Sequence, residues 1–236
     1  MSVTAAYAPA VSGPSEARLV FLRKVGVWTF LSLAATAVIA VVSTMTIAPL
    51  LLSMGGAIAR WGSLALILGA FALSHYVARG MVYGSAKLPG LGLAIVGEGV
   101  SFGFLLLSTL SFGPAADGLR IIATAMGITA ASGFGMLLYV WFNKSDLSLV
   151  KAGLSIMGLP MLVLMAVSFI FPMGGVFGLI ICAVFVVASG AALLYRLNTV
   201  VHEFDEDAHI EAAYEISMSL LVLLWNVISL LNRLRR

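Results

Sequence analysis

The sequence predicts an all-α membrane protein of seven transmembrane helices, and two observations carry that expectation. First, the 236-residue chain is 61% hydrophobic and only 10% charged, with a mean hydropathy of +1.11. Soluble domains carry about 25% charged residues, and 13 Lys and Arg with 10 Asp and Glu cannot cover the surface of one this large. Second, stretches free of Lys, Arg, Asp and Glu recur along the chain, most of them near the roughly 20 apolar residues that a membrane crossing needs.

Residues 1–20 read as a disordered tail, small and Pro-containing between Ala5 and Pro14, and 21–236 as the membrane domain. The first 24 residues hold no apolar core long enough for a cleaved signal peptide. The uncharged run Val25–Ala59 exceeds one helix. Pro49 and Gly55-Gly56 divide it into a first span, Val25–Ile47, and an interfacial piece. Trp61–Ala78 is the second span, with His75 near its end. Leu88–Phe112 is the third and carries Glu98. Ile121–Phe142 is the fourth, lined by Thr124, Gly127, Thr129, Ser132, Gly133 and Gly135. Ala152–Tyr195 holds two more, Ala152–Phe171 and Met173–Tyr195, turning at Pro172 and Gly174-Gly175. Ile216–Asn232 is the seventh. It is slightly short, so it spans with tilt or thinning, or dips in and returns.

Basic residues give the orientation, because short cytoplasmic loops collect Lys and Arg. Arg18, Arg23, Lys24, Arg79, Lys87, Lys144 and Lys151 fall on one side, against Arg60 and Arg120 on the other. That predicts a cytoplasmic N-terminus. A crossing seventh span would leave Arg233, Arg235 and Arg236 outside, against the same rule. Glycines such as Gly92, Gly99 and Gly103 read chiefly as close helix packing.

No enzyme signature stands out, and no cofactor is expected. The net charge of +3 is scattered between spans, which gives no nucleic-acid footprint. The single Cys182 excludes an intrachain disulfide and a Cys-based metal site. The connector His202–His209 lacks the His-Glu-x-x-His spacing and the alternating oxygen ligands and central Gly of an EF-hand. It reads as a solvated acidic loop, with weak divalent capture at a pore mouth as the alternative. The seventh span has no lysine for a retinal Schiff base.

Function must therefore come from polar groups inside the bilayer, where a charge costs about 2.5–3.5 kcal/mol even on the lenient insertion scale. Four residues qualify. Glu98 is the deepest, either a functional polar group or a satisfied structural one, and is expected to face the bundle interior. His75 reads as interfacial, Arg196 as a span-ending cation that snorkels outward, and Glu215 as the opening of the seventh span. Arg196 can pair with either Glu215 or Glu98.

The segments Phe21-Leu22-Arg23-Lys24-Val25, Phe142-Asn143-Lys144-Ser145-Asp146-Leu147-Ser148 and Ser189-Gly190-Ala191-Ala192-Leu193-Leu194-Tyr195-Arg196-Leu197-Asn198, with a closing helix holding Asn226 and Leu230-Leu231, together resemble the Bax inhibitor-1 family. The likeness is nearest to a bacterial branch whose members interact with the membrane protease FtsH. It implies a seven-helix fold with the C-terminal helix central, in the bacterial inner membrane. In some members it also implies a pH-sensitive calcium or proton leak gated by two aspartates on the sixth and seventh helices. Here the first of those positions matches Arg196 and the second Ser219 or Leu223, so the acid gate is not expected. Two functions from different classes follow: a partner or modulator of a membrane protease, or a passive cation leak.

Overall fold

The computed structural model describes residues 16–111, 114–143 and 175–235, with 147, 150, 152 and 153 between them. Every regular element among these residues is helical. Helix α1 is Glu16–Met45, α2 Ile47–Ser53 and α3 Gly56–Ala72. A π-helical turn, Leu73–Val77, leads into α4, Ala78–Val82. Then come α5 Lys87–Ser111, α6 Ala115–Phe142, α7 Gly175–His202 and α8 His209–Leu234.

Six helical segments among the described residues are long and apolar enough to cross a membrane, not seven. Of the remaining predicted span, Ala152–Phe171, all but its first two residues lie outside the described residues, as do the turn at Pro172 and most of the Lys144–Leu149 loop. Residues 16–20 of the predicted tail already belong to α1, whose first turn holds Glu16, a favourable charge at the positive end of a helix dipole. The rest of that tail also lies outside the described residues.

Local sequence explains the breaks. Gly55 and Gly56 adopt φ values of 66° and 55°, a left-handed conformation that glycine enters at little cost, and they turn α2 into α3. Pro114 stands just before α6 with φ −57°, close to the value a helix start requires.

The outer faces are apolar, and the interior mixes large apolar side chains such as Leu91, Phe102 and Leu193 with small and hydroxyl-bearing ones. On α1 the buried face carries Thr29, Ser32, Thr36 and Ser43, while Val27, Phe30, Leu31, Val38, Val41, Val42 and Met45 are exposed. Helix α5 packs on α1, α3, α4, α6 and α8, and α8 packs on α1, α4, α5, α6 and α7. More than half of the most apolar stretch of α5 and of α8 is buried, and none of that of the α3–α4 segment. The core is thus shared between α5 and the C-terminal helix. Gly97, Gly99 and Gly103 permit this: a Cβ on them would stand 2.2 Å from Ser74 Oγ, 2.6 Å from Ile39 and 2.3 Å from Ser43 Oγ. Gly92, Gly127 and Gly135 have nothing within 4 Å of a built Cβ, so packing does not require glycine there.

The last helix departs most from expectation. It is one unbroken helix from His209 to Leu234, starting seven residues before Ile216. Its 26 residues rise about 39 Å, more than the roughly 30 Å of hydrocarbon in a bilayer. A segment that dips in and returns does not fit this geometry. Helix α7 likewise runs on to His202, which places Arg196 inside the helix rather than at its end.

Candidate functional site

Glu215 lies one and a half turns into α8 and is buried. Three groups from three other segments converge on it. Arg196 of α7 pairs with Oε2. Arg79 of α4 stands 3.2 Å from Oε1, and Tyr83, in the turn after α4, donates a 2.8 Å hydrogen bond to the same oxygen. Burial pushes the Tyr83 phenol above its ordinary value, which keeps the hydroxyl a donor. One carboxylate therefore holds α4, α7 and α8 together, facing two permanent cations. The Arg79 guanidinium also lies 5.6 Å from the Tyr83 ring centre. Of the two pairs open to Arg196, the one with Glu215 forms.

The two positions resembling a second gate aspartate take no part in this cluster. Ser219 Oγ donates to the Glu215 carbonyl within its own helix at 2.8 Å, and Leu223 is buried. The Arg196 side chain is 34% exposed and turned to Glu215.

Glu98 and His75 form a second group one layer deeper. Glu98 is buried, facing inward as expected. His75 belongs to the π-helical turn, stacks on Phe71 with ring centres 4.0 Å apart, and brings Nδ1 to 3.3 Å from Glu98 Oε1. Its side chain is 24% exposed and turned toward Glu98. Neither atom makes a hydrogen bond of good geometry. The two groups are joined through Tyr214, the neighbour of Glu215, whose hydroxyl donates to the Ser74 carbonyl at 2.8 Å.

Two further contacts fix the same end of the bundle. Lys87, opening α5, pairs with Glu211 of α8 at 2.5 Å. Arg18 donates to the carbonyls of Val200 (2.6 Å), Val201 (3.1 Å) and Phe204 (2.5 Å), which satisfies backbone acceptors left open at the end of α7. At the other end, Asn232 donates to Thr109 Oγ1 at 2.8 Å, and near mid-length Asn226 approaches the Phe185 carbonyl at 3.4 Å. Among the described residues no three His, Cys, Asp or Glu side chains gather as a metal set.

The sequence named Glu98, His75, Arg196 and Glu215 and missed Arg79, Tyr83 and Tyr214 as members of the site. A signal existed for Arg79, which follows His75 by four residues, and for Glu211 and Glu215, which share that spacing on α8; residues so placed lie on one helix face. No spacing rule links Tyr83 to Glu215 across 132 positions.

Comparison with curated proteins gives no match. The family described as inhibitor of apoptosis-promoting Bax1 matches residues 18–236, nearly the entire chain. With six described helices able to cross a bilayer, this makes the chain a multi-pass membrane protein. It belongs to the Bax inhibitor-1 family.

Proposed function

We propose that this chain is a non-conducting interaction protein of the membrane, a partner or modulator of an FtsH-type protease in stress or quality control, and not an enzyme. The observation that carries this reading is the charge balance at Glu215. Two guanidinium groups, Arg196 and Arg79, face one carboxylate, so the cluster keeps one excess positive charge. At about 4 Å a unit charge repels a monovalent cation by about 4 kcal/mol at an effective dielectric constant of 20, which opposes cation passage. The exposed acidic residues Glu203, Asp205, Glu206 and Asp207 offer a water-side surface for a protein partner. In this reading the N-terminus and that surface lie on the cytoplasmic side of a bacterial inner membrane.

The alternative is a passive calcium or proton leak without a di-aspartyl gate. The polar face of α1, with Thr29, Ser32, Thr36 and Ser43, favours it. Reconstitution separates the two. The interaction reading expects cation flux no higher than in protein-free liposomes, together with recovery of the protease in detergent extracts. Flux that rises steeply from pH 8 to pH 6 and is abolished by Glu215→Gln would overturn it.

A further inference from the structure

We propose that Glu98 and His75 form a proton-binding site of their own, in which one proton is shared between the carboxyl and the imidazole inside the bundle, distinct from the Arg196–Glu215–Arg79 cluster.

The argument starts from two buried atoms. His75 Nδ1 and Glu98 Oε1 are 3.3 Å apart, and neither makes a hydrogen bond of good geometry, although the Phe71 backbone one turn earlier also bears on the imidazole. Buried polar atoms are nearly always satisfied, and exceptions ask for a cause. With no proton between them, two lone pairs face each other. With a proton on each, two donors collide. One proton between the facing atoms makes a single hydrogen bond, from the carboxyl O–H to the ring nitrogen or from an imidazolium N–H to the carboxylate. With the ring's other nitrogen also protonated, the pair carries no net charge, which a low-dielectric interior favours.

The surroundings hold this geometry rigidly. Phe71 stacks on the imidazole. Gly97, next to Glu98, has no room for a Cβ against Ser74 Oγ and the Ala70 carbonyl. Ser74 Oγ approaches the carbonyls of Ala70 at 2.9 Å and Ala94 at 3.3 Å. His75 also lies in a π-helical turn, an element often found at functional sites.

The charges around the pair are accounted for. Arg79 on α4 and Arg196 on α7 are the cations that bear on His75. Tyr214 on α8 reaches Glu98 electrostatically, and Glu215 beside it is engaged by Arg196, Arg79 and Tyr83. Helix α1 offers no titratable side chain beyond Lys24. It contributes the buried hydroxyl of Thr36, and α5 contributes Ser101 one turn from Glu98. Both hydroxyls are without partners. Through Ser74 and Tyr214, the proton would be felt at the helix that carries Glu215.

Infrared spectroscopy of the full chain in detergent tests the site through the carbonyl band of a protonated carboxylic acid. The expected result is a band whose intensity changes with pH and is lost in Glu98→Gln. In His75→Gln the band persists with its midpoint moved by at least about one pH unit, because Gln cannot take up the shared proton. The proposal is overturned if no titrating band appears, if the band survives Glu98→Gln, or if His75→Gln leaves the midpoint unchanged. Should Glu98→Gln fail to fold, the His75→Gln midpoint decides alone.

Discussion

Replacing Glu215 by Gln removes the one carboxylate that joins α4, α7 and α8, and its cost can be worked from the geometry. Removing one partner of a fully buried pair costs about 3–5 kcal/mol, and an exposed pair is worth about 0–1 kcal/mol. The Glu215 side chain is 6% exposed, Arg196 34% and Arg79 52%. The Arg196 contact therefore falls midway and the Arg79 contact near the exposed end. A hydrogen bond to a charged group adds about 1.5–3 kcal/mol, and Gln retains part of the Tyr83 bond. The expected loss is about 2–4 kcal/mol, or a fall in Tm of about 5–15 °C for a chain of this size. Thermal unfolding in detergent, followed by tryptophan fluorescence, measures it. The ranking should be Glu215→Gln, then Arg196→Gln, then Arg79→Gln. The double variant Arg196→Gln with Glu215→Gln should lose less than the two singles combined, because they share one contact. A fall below about 2 °C for Glu215→Gln, or an equal fall for Arg79→Gln, would refute the reasoning.

Three other outcomes are expected. Gly97→Ala should destabilise by about 1–3 kcal/mol through overpacking against Ser74, while Gly92→Ala, with open space around it, should be neutral or gain up to about 1 kcal/mol; relative Tm values check both. In a Cys182→Ser background, Ser85→Cys in the exposed turn after α4 should resist an impermeant thiol reagent in intact cells, and rapid labelling would reverse the orientation drawn from the basic residues. Any cation flux in proteoliposomes should change less than about threefold between pH 8 and pH 6, against about tenfold per unit for a full proton-coupled switch.

The helix class and most span positions were legible because lipid imposes a single demand, a run without charge. That same rule misplaced the start of the last helix. Glu215 reads as the opening of the span, yet it and Glu211, a turn before it, are both buried in the helix, where Arg196 and Lys87 reach them from other helices. The Lys87–Glu211 pairing spans more than a hundred positions and leaves no local trace, whereas the Arg196–Glu215 pair was among those the sequence offered and Glu98 was visible because it interrupts an apolar run. His75 was visible as a residue, but its approach to Glu98 was not, since the π turn that carries it has no composition of its own. The glycines of the third span were read as packing residues, which fits Gly99 and Gly103 but not Gly92.

The Arg18 contact also bears on how the protein is made. Arg18 lies near the start of α1, and the carbonyls it bonds are 182 to 186 residues further on. At a synthesis rate of about 5–20 residues per second, roughly 10–40 s separate the two on the ribosome. The first helix therefore enters the bilayer long before the backbone that its arginine will hold exists. Assembly cannot close at this end until α7 emerges, so the contact marks a late step of biogenesis. It ties completion of the bundle to completion of almost the whole chain.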